Sequence, residues 1–121
     1  MRKKVLIAEA NLETRERLER ALVDFINEGG EIFFASTADN GLKIITVEHP
    51  QLVFVDKNLV GNDLKKWTQN KGYLIVMLKK DQTPIQSLDY IIKPIDIKKV
   101  TEKCQKILGK LTEPAPSFPP I

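Results

Sequence analysis

Leu52-Val53-Phe54-Val55 is an unbroken apolar run that ends in a carboxylate, Asp56, and passes into the loop Lys57-Asn58-Leu59-Val60-Gly61. A short run without alternation reads as a strand buried on both faces, as the strands of a parallel sheet are. Such a strand needs helices on both sides of its sheet. Three more runs have the same form. Val5-Leu6-Ile7-Ala8 leads into Glu9, Leu74-Ile75-Val76-Met77-Leu78 into Lys79, and Tyr90-Ile91-Ile92 into Lys93-Pro94. In open α/β sheets, ligand chemistry collects just outside the carboxyl ends of the strands. Two acids, Glu9 and Asp56, and two lysines, Lys79 and Lys93, are therefore expected together at one edge.

The segments between these runs carry helical patterns. Asn11 is a good N-cap for a helix from Leu12 to about Asn27, with Leu18, Ala21, Leu22, Phe25 and Ile26 on one face and Gly29-Gly30 at its end. Residues 31–35 read as a second strand. Asp39 or Asn40 starts a second helix, with Leu42, Ile44 and Ile45 apolar, that stops near His49-Pro50. Asn62 or Asp63 caps a short third helix over 62–71. Asp96 caps the last helix, with Ile97, Val100, Cys104, Ile107 and Leu108 inward. The segment from Lys79 to Leu88 has ten residues and contains Pro84. A parallel crossover through a helix needs a dozen or more, so one turn or an extended loop is expected there.

Strands alternating with helices imply an α/β, flavodoxin-like doubly wound fold with a five-stranded parallel sheet. Right-handed crossovers leave few topologies. The order 2-1-3-4-5 sets the first and third strands side by side, so Glu9 and Asp56 flank the switch-point crevice. Residues 1–111 form this domain. Residues 112–121, with four prolines, read as a linker or a disordered end.

Composition excludes several classes. The net charge is only +3, and the lysine pairs Lys65-Lys66, Lys79-Lys80 and Lys98-Lys99 are interspersed with acids. No nucleic-acid footprint results. The apolar runs are far short of a membrane span. No signal-peptide core precedes the first strand, and the single cysteine, Cys104, cannot form an internal disulfide; the expected location is cytoplasmic. Cys104 is expected as inert core, and His49 has no companions for a metal site. Trp67 reads either as core filler or as an exposed contact residue. A phosphate-binding glycine loop, a zinc pattern and a nucleophile elbow are absent.

Over about residues 3–110 the chain resembles a response-regulator receiver domain. Lys4 to Asn11 is similar to that family's first strand and acidic pair. Pro50 to Gly61 is similar to the strand that carries its phospho-accepting aspartate. Asp89-Tyr90-Ile91-Ile92-Lys93-Pro94-Ile95-Asp96 is similar to its fifth strand, lysine and proline. The resemblance implies a non-enzymatic signalling module in a two-component phosphorelay, with a histidine kinase or another signalling protein as partner. It implies Asp56 as acceptor, Lys93 as its charge partner and Tyr90 as the switch aromatic. Glu9, Asp56 and the Asn58 carbonyl would be the ligands of a magnesium ion. The Lys93-Pro94 bond is expected to be cis.

The departures from the family pattern are equally specific. Its acidic pair is here Glu9-Ala10, so one carboxylate is missing and any magnesium site is weak or absent. Lys79 stands where the family has a hydroxyl, either pairing with Asp56 or pointing into solvent with Lys80. The fourth helix is missing. Glu9 reads as a weak metal ligand or as a solvated strand end, and Tyr90 as half-buried core. Together these point to a degenerate receiver that works through protein contacts, with compromised phosphorylation and an exposed side suited to a homodimer. The alternatives are a fully active magnesium-dependent phospho-acceptor and a small-molecule-binding flavodoxin-like domain.

Overall fold

All five residues of β3, Leu52–Asp56, are buried, as an unbroken apolar run requires of a central parallel strand. The computed structural model describes residues 3–69 and 71–111. Around β3 lie β1 (Lys4–Ala8), β2 (Glu31–Ala35), β4 (Tyr73–Leu78) and β5 (Asp89–Ile92). All pairings are parallel, in the order β2-β1-β3-β4-β5. The helical segments are α1 (Leu12–Ala21), α2 (Val23–Asn27), α3 (Ala38–Glu48), α4 (Lys57–Val60), α5 (Leu64–Thr68) and α6 (Ile97–Leu111). The expected topology is observed.

Right-handed crossovers decide which helix covers which face. The connection from β1 to β2 runs one way along the sheet, and those from β2 to β5 run the other way. On one face Leu18 and Leu22 join Val100, Cys104 and Leu108 of α6 over Val5, Ile7, Phe54, Ile75 and Met77. On the other, Ile45, Val60 and Trp67 lie over Leu6, Val53, Val55, Val76 and Leu78. Trp67 is thus core filler, 1% exposed. Cys104 is buried in the first cluster as expected.

Several boundaries differ from the sequence reading. The first helix is broken at Leu22, whose backbone leaves helical geometry at φ −104°, ψ 12°. The bend sets the Phe25 ring against Gly30, where a Cβ would lie 2.3 Å from ring atoms. Ile26, expected inward, is exposed. The second helix is capped by Thr37, two residues before Asp39: its hydroxyl accepts the Asn40 N–H at 3.2 Å, leaving Asp39 in the first turn, where a negative charge favours the helix. The third helix, expected over 62–71, is the single turn α5, and a further turn, α4, stands in the expected loop before Gly61 at φ +51°. Asp63 stands at the α5 N-cap position without a side-chain cap bond.

Between β4 and β5 there is no helix. The Gln82 N–H bonds the Lys79 carbonyl at 3.0 Å, and the Leu88 N–H bonds Ile85 at 3.2 Å. Ile85 and Leu88 pack partly buried on the second cluster. They cover less than a helix would, so Tyr90 and Ile92 of β5 are left 42% and 49% exposed. Tyr90 is therefore not the half-buried core residue expected. Asp89 fastens β5 to its neighbours, accepting from the Tyr73 hydroxyl at 2.9 Å and from the Lys103 ammonium at 2.8 Å. The Lys93-Pro94 bond is cis, as expected. Asp96 caps α6 through the Lys99 N–H at 3.2 Å. The proline-rich segment 112–121 lies outside the described residues.

Candidate functional site: an acid pair bridged by Lys93

The carboxyl ends of β1, β3 and β5 meet at one rim because these parallel strands are nearly in register. Glu9 follows β1, Asp56 ends β3 and Lys93 follows β5. The Lys93 ammonium lies 2.6 Å from Glu9 Oε1 and 3.1 Å from Asp56 Oδ1. It donates a hydrogen bond to Asp56. Its approach to Glu9 is an ion-pair contact whose angles miss those of a hydrogen bond. The three side chains are 15%, 3% and 10% exposed for Lys93, Glu9 and Asp56. Charges held this far from water persist only when paired. Burial pushes the Lys93 pKa down, but the Glu9 and Asp56 carboxylates outweigh it and hold the ammonium above its ordinary value.

Each member is positioned by its own strand exit. Glu9 is not a solvated strand end. It is 2% exposed, and its second oxygen, Oε2, accepts the Asn11 N–H at 3.0 Å. Asn11 in turn caps α1, accepting the Thr14 N–H at 2.9 Å. Lys93 is steadied from both sides. Its own N–H bonds the Leu78 carbonyl at 2.8 Å, and Arg17 of α1 donates to the Ile95 carbonyl at 3.1 Å. The hydrogen bond from Lys93 falls on Asp56 Oδ1, and Oδ2 takes none from it.

Lys79 does not join this cluster. It is exposed, as is Lys80, and forms no ion pair with Asp56. Both line the cleft above the acids together with Ala10, Arg17 and Asn58. The solvent-facing reading of Lys79 is therefore the one observed. Tyr90, one strand residue away on the opposite face from Ile91, is exposed rather than packed at the site. Asn58 is at the cleft, but its side-chain oxygen accepts from the Gln82 amide at 3.0 Å.

Gln82 is the residue that the sequence reading missed. Its Oε1 accepts the Lys79 N–H at 2.8 Å while its amide holds Asn58. It thus ties the β4–β5 loop to the loop after β3. Lys57 makes a second tie, donating to the Thr83 carbonyl. No motif in the sequence marks a lone glutamine for this role.

No family model matches the chain, and no curated protein matches it. Solved structures do. The receiver domain of AraT, a response regulator from Geobacillus stearothermophilus, is 24% identical with a TM-score of 0.74, over 93% of this chain and 98% of its own. A CheY-like response regulator receiver domain protein from Methanospirillum hungatei is 22% identical with a TM-score of 0.73, over 93% and 98%. A two-component transcriptional regulator, AraC, from Clostridium phytofermentans is 18% identical with a TM-score of 0.69, over 91% and 95%. The fold of this chain is that of a response-regulator receiver domain.

Proposed function

We propose that residues 1–111 form an atypical receiver module that acts through protein–protein contacts and whose Asp56 is a compromised phospho-acceptor. The observation that carries this reading is the single ammonium of Lys93 spanning both buried acids at 2.6 and 3.1 Å. The partner class is a histidine kinase or another signalling protein, in the cytoplasm. The reading names no nucleic acid as partner, in line with a net charge of only +3.

A magnesium ion prefers near-octahedral coordination by hard oxygens. The donors at this rim fit it only weakly. Glu9 Oε2 accepts the Asn11 N–H, and Glu9 Oε1 and Asp56 Oδ1 face Lys93, so Asp56 Oδ2 and the Asn58 main-chain carbonyl would be left to hold it, with waters completing the shell. Ala10 offers no carboxylate where the resembled family has its second acid. Among the described residues no group of three His, Cys, Asp or Glu is gathered. Lys93 instead supplies the positive charge from within the chain.

One observation favours the alternative of an active acceptor. Asp56 Oδ2 takes no hydrogen bond from Lys93, and such an oxygen is suited to attack phosphorus. A phosphodonor would then lose its P–O bond to the leaving group as the aspartyl–phosphate bond forms. With the Lys93 ammonium already shared between two carboxylates, charge on the transferring group is only partly neutralised. Lys79 is too exposed to replace a hydroxyl held against it.

Intact-mass measurement after incubation with acetyl phosphate and magnesium tests the reading. The expected result is no adduct on the wild-type chain. An Ala10→Asp/Lys79→Thr variant, which restores the family's acid and hydroxyl, is expected to gain one that Asp56→Asn abolishes. A stoichiometric wild-type adduct that disappears in Asp56→Asn would establish the active-acceptor alternative.

A further inference from the structure

We propose that the cleft between α3 and α5 binds a small amphiphilic anion, an apolar body that ends in a carboxylate. The inference is independent of the reading of Asp56, which lies at the other rim of the sheet.

The cleft follows from where the two helices stop. α5 ends at Thr68, short of the 62–71 span that the sequence allows, while β4 begins only at Tyr73. α3 ends at His49, whose left-handed backbone, φ 50° and ψ 58°, turns the chain into β3. Between α3, α5 and the segments entering β3 and β4 lies a cleft of about 850 Å³. That size is within the range of small-molecule sites.

Its wall is apolar. Leu42 and Ile45, three residues apart on one stripe of α3, line it together with Pro50, and Ile45 and Pro50 are buried. Polar groups beside them are already engaged. The Thr46 hydroxyl donates to the Leu42 carbonyl at 3.0 Å. The Gln51 side-chain oxygen accepts the Lys4 N–H at 2.6 Å, and the Gln51 carbonyl accepts the Tyr73 N–H at 2.8 Å. A hydrocarbon laid on this wall therefore strips water from few unpaired polar groups.

Charge selects the head group. Lys66, Lys71 and His49 line the cleft, and no carboxylate does so among the described residues. Neither lysine forms an ion pair among the described residues. Glu48, next to His49 in the chain, is held by Lys4 at 2.8 Å. The other clefts carry both signs: Asp24 and Glu28 stand beside Lys3 in the one against α6, and Glu9, Glu13 and Asp56 line the one over Lys93. A cation would be repelled here, and an inorganic anion would leave the apolar wall uncovered. An apolar carboxylate uses both.

Titration of the isotope-labelled wild-type chain with octanoate, octylamine and inorganic phosphate at neutral pH, followed by amide NMR, tests the proposal. Octanoate should shift the amides of Ile45, His49, Lys66 and Lys71 saturably, with a Kd of ~0.1–1 mM for a ligand of so few heavy atoms. Octylamine, the same body with the opposite charge, should bind about tenfold more weakly. Lys66→Glu/Lys71→Glu should remove that preference, while Lys43→Glu, at an exposed site of α3 outside the cleft, should leave it intact. No saturation by about 10 mM octanoate overturns the proposal. So does equal affinity for octanoate and octylamine, or phosphate that binds as tightly as octanoate. Shifts confined to residues 24–30 and 101–108 overturn it too, because they place the ligand in the cleft against α6. The three titrations use the wild-type chain and do not depend on the folding of any variant.

Discussion

Replacing Lys93 with methionine removes one ammonium and strands two carboxylates. At 2.6 and 3.1 Å, Coulomb attraction with an effective dielectric near 20 is about 6 and about 5 kcal/mol. Desolvation of three ions and repulsion between the acids offset most of this. Breaking a buried pair by deleting one partner typically costs about 3–5 kcal/mol, because the remaining charge is left uncompensated. The side chains are exposed by 3–15%, so that range applies here rather than the ~0–1 kcal/mol of a surface pair. With a urea slope of about 2 kcal/mol per M, the unfolding midpoint of Lys93→Met should fall by roughly 1.5–2.5 M. The triple variant Glu9→Gln/Asp56→Asn/Lys93→Met should recover most of the loss, since it removes the charges together. Urea denaturation of the three proteins at neutral pH and moderate salt decides. A midpoint within about 0.5 M of wild type for Lys93→Met would show that the cluster is solvated, and the reasoning would fail.

Other consequences follow from the same structure. The Lys93 pKa is raised above 10.5, so its contribution to stability is complete below that value and lost as pH rises through the higher folded value. From neutral pH upward, the difference in urea midpoint between wild type and Lys93→Met should therefore shrink only when the solution is strongly alkaline, and a gap that closes near neutrality would contradict the assignment. Burial pushes the Cys104 thiol up to about 12, with Lys103 opposing it weakly; iodoacetamide at mildly alkaline pH should label it only after unfolding, and rapid labelling of the native chain would show that this core opens. Gly41→Ala should destabilise despite alanine's better helix propensity, because the new Cβ would lie 2.7 Å from Trp67 Cη2 in a filled core. A loss of about 1–3 kcal/mol is expected, relieved in combination with Trp67→Leu; a stabilised single variant would refute the close approach.

The strands were legible because burial on both faces leaves a pattern that needs no partner to be read. Val5–Ala8, Leu52–Val55 and Leu74–Leu78 are apolar at every position, and charge begins where each leaves the core. Topology then followed from handedness. What could not be read depends on residues distant in sequence. Glu9 alone fits a solvated strand end as well as a ligand; only the arrival of Lys93 from the other end of the domain makes its burial tolerable. Lys79 has no local feature that separates pairing from solvation. The helix break at Leu22 escaped because Leu22, Phe25 and Ile26 keep helical spacing across it. Thr37 is as acceptable a cap as Asp39 or Asn40, and what decides among them is the path of the chain out of β2.

The bond from Arg17 to the Ile95 carbonyl, at 3.1 Å, gives α1 a mechanical grip on the loop that begins at Lys93. Were that helix to roll by a fraction of a turn, the loop would be pulled with it and the ammonium would shift relative to the two acids.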